Sequence, residues 1–142
     1  MIRSEKQYEA AKKQLASLQK ALESGIQKGP AAVVRAARGQ TKELAAELEK
    51  QMKDYEQLQK TPAKELHIHS LQDLRVAPIR YRIAAHMTIE AFARLVHVHS
   101  RQIARYESED YQNVSWDTLL KILERLNVKI EGTVDLDQKI AV

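Results

Sequence analysis

The N-terminal part of the chain carries a hydrophobic pattern that predicts two long helices. Ser4 is a suitable N-cap, and Gln7, three residues later, can complete a capping box. Gly25 suits the end of the first helix, Pro30 suits the start of the second, and Thr61-Pro62 ends it. Apolar positions recur in both helices at alternating steps of three and four, which keeps them on one side. They are Tyr8, Ala11, Leu15, Leu18 and Leu22, then Val34, Ala37, Leu44, Leu48, Tyr55 and Leu58, and the polar residues Thr41 and Gln51 keep the same alternation in the second helix.

We expect these helices to form an antiparallel hairpin over residues 1–61, because a short glycine-containing loop joins them. A two-helix hairpin buries little apolar surface by itself, so its apolar stripe needs a third surface. Two alternatives stay open. The first is a second copy or the C-terminal domain, which we favour because long heptad stripes usually pair with themselves. The second is a dedicated partner protein such as a toxin.

Residues 62–77 are expected to form a connector that contains one short helix. The alternation around Leu66 and Ile68 is that of a short strand, whereas Ser70 followed by Asp73 indicates a helix start.

Residues 78–128 carry the pattern of four short helices. Thr88 can cap the second helix, Ser100 to Ser108 form the third, and Ser115 can cap the fourth. Asn127 tolerates the left-handed conformation with which the chain leaves the last helix. The apolar positions of these helices are Ile79, Ile83, Ala84, Phe92, Leu95, Val96, Ile103, Leu119, Leu120, Ile122, Leu123 and Leu126.

Residues 129–142 are expected to be a short strand or a tail. Val128, Ile130, Val134 and Leu136 alternate roughly with polar residues, as in an edge strand that pairs with a second copy. The fold class expected for the whole chain is therefore all-α: an N-terminal helical hairpin and a C-terminal bundle of short helices. Whether a short C-terminal strand is added to these helices stays open.

Composition narrows the class of protein further. The 142 residues include only 4 Gly and 3 Pro, which favours helices, and no Cys, which excludes disulfides, zinc-thiolate clusters and a thiol nucleophile. No apolar run reaches the roughly 20 residues needed to cross a bilayer, and residues 1–6 do not lead into a signal peptide. We therefore expect a cytoplasmic protein with no membrane partner.

Charge is unevenly distributed, although the net charge is only +4. Residues 78–106 contain five arginines and one acid, Glu90. Residues 107–142 contain eight acids and four bases. A basic block followed by acidic sequence indicates one face built for an anion.

The segment from Thr88 to Glu107 resembles the helix-turn-helix of the Cro/CI-type (XRE) regulators. The resemblance covers residues 78–128 and rests on a small residue where the helices cross (Ala93), an apolar turn residue (Val98), an apolar anchor (Ile103) and the ending Arg105-Tyr106-Glu107. Two positions depart from the pattern, since His97 replaces the usual turn Gly and Ile89 replaces a Gln that often contacts phosphate.

Long N-terminal helices ahead of this motif are similar to a HigA-type antitoxin subgroup, whose members often also repress their own operon. The residues that carry this looser likeness are Asp54-Tyr55-Glu56-Gln57-Leu58, Gln102-Ile103-Ala104-Arg105-Tyr106-Glu107 and Asp110-Tyr111.

The resemblance implies that residues 100–108 read bases in the major groove of double-stranded DNA as part of a homodimer. Arg101, then Ser100 and Arg105, then Gln102 are the candidate base-reading residues, because Arg matches guanine and Gln matches adenine. Thr88 and Arg94 are candidates for phosphate contacts. By the same resemblance, Arg82 and Glu107 form a partly buried, structural ion pair.

The sequence gives weaker support to metal binding and catalysis. His67-x-His69 and His97-x-His99 have ligand-like spacing, but the turn explains the second pair and no acid stands at a familiar distance. We expect no metal, no cofactor and no catalytic residues, since no Gly-rich phosphate loop or nucleophile motif is present. The sequence thus predicts a dimeric repressor. The alternative is an antitoxin that neutralises a toxin through its N-terminal helices.

Overall fold

The computed structural model describes residues 1–25, 28–62 and 64–136, and all regular structure within these ranges is helical. The predicted all-α class is confirmed for these residues. None of their helices is both long and apolar enough to span a membrane. In chain order the helices are α1 (Glu5–Ser24), α2 (Ala31–Lys60), α3 (Leu71–Ala84), α4 (Ile89–Leu95), α5 (Ser100–Ser108) and α6 (Trp116–Arg125).

Helix α1 begins and ends at its local signals. The hydroxyl oxygen of Ser4 accepts from the N–H of Gln7 at 3.3 Å, and the side-chain oxygen of Gln7 accepts from the N–H of Arg3 at 2.8 Å. Gly25 ends the helix at φ +61°, a conformation that glycine adopts without steric cost.

Helices α1 and α2 pack along each other through polar as well as apolar contacts. The rings of Tyr8 and Tyr55 stack with centroids 5.4 Å apart, and the Tyr8 hydroxyl donates to Glu56 at 2.5 Å. That hydrogen bond is the main cause that raises the pKa of Tyr8 to about 12. Further along the helices, Gln19 Nε2 donates to Glu49 Oε1 at 3.5 Å. Paired positions rise along α1 and fall along α2, so the two helices run in opposite directions.

Helix α3 joins the connector to the C-terminal helices. Ser70 caps it by accepting from the N–H of Asp73 at 3.1 Å, and Asp73 accepts from the N–H of His69 at 2.8 Å. The helix therefore starts before Pro78, where sequence analysis placed a domain boundary, and Pro78 lies buried inside it. Burial of Pro78 beside Ile79 offsets the helix-breaking tendency of proline.

One hydrophobic core lies among α3, α4, α5 and α6. Each helix contributes a fully or almost fully buried side chain: Ile79, Phe92, Ile103 and Ile122. Burying such a side chain stabilises the fold by about 1.5–3 kcal/mol. The N-terminal residues Ile2, Tyr55 and Leu58 join the same cluster, so the core continues into the base of α1 and α2.

Residues 129–136 contain no strand, contrary to one of the two alternatives for the C-terminal segment. Val134 and Leu136 are at least 80% exposed, and the described residues offer no neighbouring strand with which they could pair. The rest of the predicted segment, residues 137–142, lies outside the described residues.

Candidate nucleic-acid interface

Helices α4 and α5 are held at a fixed angle by buried small and apolar side chains. Ala93 of α4 is 2% exposed, and its small side chain lets the two helices approach closely. Ile103 of α5 is completely buried. Val98, in the turn, is half-buried and packs against the core. Its N–H donates to the carbonyl of Ala93 at 3.0 Å, which closes the end of α4.

The turn between α4 and α5 contains a non-glycine residue in the left-handed region. His97 has φ +53°, a conformation that costs an L-residue about 1–2 kcal/mol, although His tolerates it better than a β-branched residue does. His99 then returns to φ −61° and precedes α5 without a side-chain cap. The strain at His97 lies where the sequence departs from the glycine of the XRE pattern.

Helix α5 presents its arginines on the side away from the core. Arg101 and Arg105, four residues apart, are both exposed, while Ile103 and Glu107 between and after them are buried. The guanidinium carbon of Arg105 lies 5.9 Å from the centre of the Tyr106 ring, within cation–π range. Among the described residues, neither arginine forms an ion pair. Their donors are free for an external acceptor.

Ser100 and Gln102 are less accessible than the two arginines. Both are half-buried, and the Gln102 amide nitrogen lies 2.8 Å from the Tyr106 hydroxyl one turn away. The i, i+4 spacing of Gln102 and Tyr106 permits this hydrogen bond, but the sequence pattern alone does not predict it.

The two residues expected to contact phosphate lie at opposite ends of α4. Thr88 is exposed, and its hydroxyl oxygen caps the helix by accepting from the N–H of Ala91 at 3.1 Å. Its own hydroxyl hydrogen remains a donor. Arg94 is exposed in the last turn.

Behind this surface, Arg82 forms a bidentate ion pair with Glu107. Arg82 Nε lies 2.6 Å from Glu107 Oε1 and Nη2 lies 2.7 Å from Oε2, and both side chains are less than a tenth exposed. Arg82 also donates to the carbonyl of Met87 and to that of Arg3, each at 3.0 Å. One guanidinium therefore joins α3, the start of α4, the end of α5 and the residues ahead of α1.

Two residues near this pair were missed by the sequence analysis. Arg3 Nη2 lies 2.5 Å from Asp110 Oδ1, just beyond the end of α5. No local signal could have identified this contact, because the two residues are 107 positions apart.

The comparisons with known proteins agree with this geometry over part of the chain. Neither the curated proteins nor the solved structures gave a match to this sequence. Residues 79–132, which begin in α3 and include α4, α5 and α6, match the model of the Helix-turn-helix family. The match supports an XRE-type helix-turn-helix over this segment and, with it, a DNA-binding regulator.

Proposed function

We propose that this protein is a sequence-specific repressor of transcription that binds double-stranded DNA as a homodimer and reads the major groove with α5. The observation that carries the proposal is the two-sided character of α5. Ile103 and Glu107 anchor one side in the domain, and Arg101 and Arg105 leave the other side charged and accessible.

The residue types on this side suit base recognition. Arg101, in the first turn of α5, can donate two hydrogen bonds to O6 and N7 of a guanine, and Arg105 follows about 6 Å along the helix axis. Ser100, at the start of α5, is the next candidate for a base contact. The contact with Tyr106 uses one N–H of Gln102 and leaves the other N–H and the carbonyl, the pair that adenine requires.

Phosphate contacts would set the orientation of α5 on the duplex. The free hydroxyl hydrogen of Thr88 and the exposed guanidinium of Arg94 are donors to phosphate oxygens, and neither depends on base sequence. A regulator of this kind acts in the cytoplasm and needs no catalytic residue, metal or cofactor.

Dimerisation follows from the way such domains bind, since two copies occupy half-sites about one DNA turn apart. Helices α1 and α2 carry surface suited to pairing. Leu15, Leu18, Leu22 and Leu48 are only half-buried, and Leu44 is 57% exposed.

The same exposed leucines favour a second candidate function, that of an antitoxin which binds a toxin through α1 and α2. Leu44→Glu places a charge in this stripe and separates the two functions. Loss of self-association in sedimentation equilibrium would favour the dimer surface. Retained self-association, with loss of neutralisation of a toxin encoded by an adjoining gene, would favour the antitoxin.

Selection of binding sites from random duplex DNA tests the main proposal. We expect enrichment of a two-fold symmetric site with half-sites about one helical turn apart. We also expect the enriched site to lose affinity for Arg101→Ala and not for Arg38→Ala, which removes an exposed arginine from α2. Failure to enrich any sequence over competitor DNA would refute the proposal.

A further inference from the structure

We propose that Arg3, which precedes α1, is a positioning residue for α5: it connects the end of this helix to the base of the N-terminal helices. The proposal rests on the proposed function, because the placement of α5 matters for reading DNA. Two separate connections run from Arg3 to the end of α5.

The first connection is made by the Arg3 side chain. Its guanidinium reaches Asp110 with 2.5 Å between Nη2 and Oδ1, and the Arg3 side chain is 19% exposed. Asp110 is the second residue after α5, so this ion pair holds the turn by which the chain leaves the helix.

The second connection is made by the Arg3 backbone. Its carbonyl accepts from Nη2 of Arg82, and the same Arg82 nitrogen binds Glu107 in the last turn of α5. The carbonyl helps to hold Arg82 in the orientation that Glu107 needs. Glu107 and Asp110 are thus both linked to one residue ahead of α1.

The turn held in this way has an unfavourable backbone. Asp110 and Tyr111 have φ +50° and +57°, and two consecutive left-handed residues without glycine persist only where surrounding contacts hold them. Tyr111 is held by burial, at 1% exposure. Asp110 is only partly buried, and its side-chain contact is the ion pair with Arg3.

The residues ahead of α1 are themselves fixed at both sides of Arg3. Ile2 is 6% exposed and belongs to the hydrophobic core. The Arg3 N–H donates to Gln7 in the first turn of α1. A displacement of the base of α1 would therefore be transmitted to the turn after α5.

The test combines amide hydrogen exchange with DNA binding for Arg3→Ala, Asp110→Asn and the double variant. Asn keeps the tolerance of Asp for a positive φ. Each single variant should speed exchange at the backbone amides of Asp110 and Tyr111, which donate to the backbone carbonyls of Glu107 and Tyr106, respectively. Each should weaken binding to the selected duplex about twofold to fivefold. The double variant should be no weaker than the weaker single variant.

Charge controls separate positioning from simple electrostatics. Asp110→Asn removes a negative charge, so long-range electrostatics alone would strengthen DNA binding, whereas lost positioning weakens it. Arg38→Ala removes the same charge as Arg3→Ala from an exposed site and should leave exchange at residues 110 and 111 unchanged. Arg3→Lys retains the charge and should restore most of the protection.

Unchanged exchange at residues 110 and 111 in both single variants, at a temperature where all proteins are folded, would overturn the positioning role. Additive losses of DNA affinity in the double variant would do the same. If the unsubstituted protein selects no DNA sequence, the proposed function fails. The exchange measurement then still decides whether Arg3 holds this turn.

Discussion

At the scale of single residues, the side chains of α5 divide between two tasks. Ile103 and Glu107 attach the helix to the domain, and Arg101 and Arg105 stay accessible. Their types and spacing could be read from the sequence because the XRE pattern places an apolar anchor at a fixed distance from the exposed positions. The roles in base and phosphate contact remain predictions.

Arg101→Ala and Arg94→Ala should weaken DNA binding in different ways. Loss of a base contact at Arg101 should cost about 1–3 kcal/mol on the selected site and relax the preference at one base pair. Loss of a phosphate contact at Arg94 should weaken binding to all sites alike. It should also make the fall of log K with log salt shallower, by about one unit of slope. Fluorescence anisotropy on matched and single-mismatch duplexes at several salt concentrations measures both. A uniform loss for Arg101→Ala would contradict its assignment.

Glu107→Gln should strongly destabilise the domain. The substitution leaves the Arg82 charge buried without a compensating carboxylate, which costs about 3–5 kcal/mol. Urea unfolding followed by circular dichroism measures the loss, with Glu90→Gln on the exposed side of α4 as the matched control. A loss as small as that of the control would show that the pair is not important for stability.

The two ion pairs show which residue contacts the sequence can reveal. Arg82 and Glu107 could be paired from the sequence because the motif carries that contact with it. Arg3 and Asp110 belong to no motif, and only the packing of the first residues against the end of α5 brings them together. The hydrogen bond between Gln102 and Tyr106 lies between these cases, since its spacing is local but its geometry depends on the half-buried Gln102 side chain.

At the scale of elements, helix starts follow local chemistry closely. Ser4, Ser70, Thr88 and Ser115 all accept a hydrogen bond from the N–H three residues later, and each was recognisable as a cap in the sequence. The continuation of α3 through Pro78 could not be recognised in the sequence, because it depends on the burial of Pro78 in the tertiary structure.

The turn between α4 and α5 should become more stable when His97 is replaced by Gly. Glycine removes the strain at φ +53° but loses more backbone entropy on folding, so the expected net gain is about 0.5–1 kcal/mol. His99→Gly is the matched control, since φ −61° gives glycine no advantage there and stability should fall slightly. Thermal unfolding of both variants provides the comparison. Equal effects of the two substitutions would contradict a strained turn.

The start of α3 should depend on pH through Asp73. The hydrogen bond from the His69 N–H is the main cause that lowers the pKa of Asp73 below its usual 3.8. Its stabilisation is therefore present above pH 3.8 and is lost as pH falls through the lowered value. Asp73→Asn should destabilise by about 0.5 kcal/mol at pH 7, since water screens this half-buried group.

Urea unfolding at pH 7 and near pH 3 tests this dependence, with Asp135→Asn in the exposed C-terminal segment as the control. The difference between the unsubstituted protein and Asp73→Asn should shrink toward low pH. A difference that grows as pH falls would contradict the assignment.

At the scale of the whole molecule, the N-terminal and C-terminal helices share one core. Ile2, Tyr55 and Leu58 pack into the cluster that contains Phe92 and Ile103. The sequence left the C-terminal domain open as one of the surfaces against which the N-terminal helices pack, but it could not select that surface, because an apolar stripe does not specify what covers it. For the same reason the alternation at Val134 and Leu136 did not specify a strand, which needs a neighbour to pair with.

Methylation interference on the selected duplex tests the central claim most directly, because methylation of guanine N7 blocks the major-groove edge that Arg101 would read. We predict that N7 methylation of one guanine in each half-site prevents binding of the unsubstituted protein. We also predict that Arg101→Ala is insensitive to methylation at that guanine. Interference confined to adenine N3 in the minor groove, or identical patterns for both proteins, would contradict recognition of the major groove by α5.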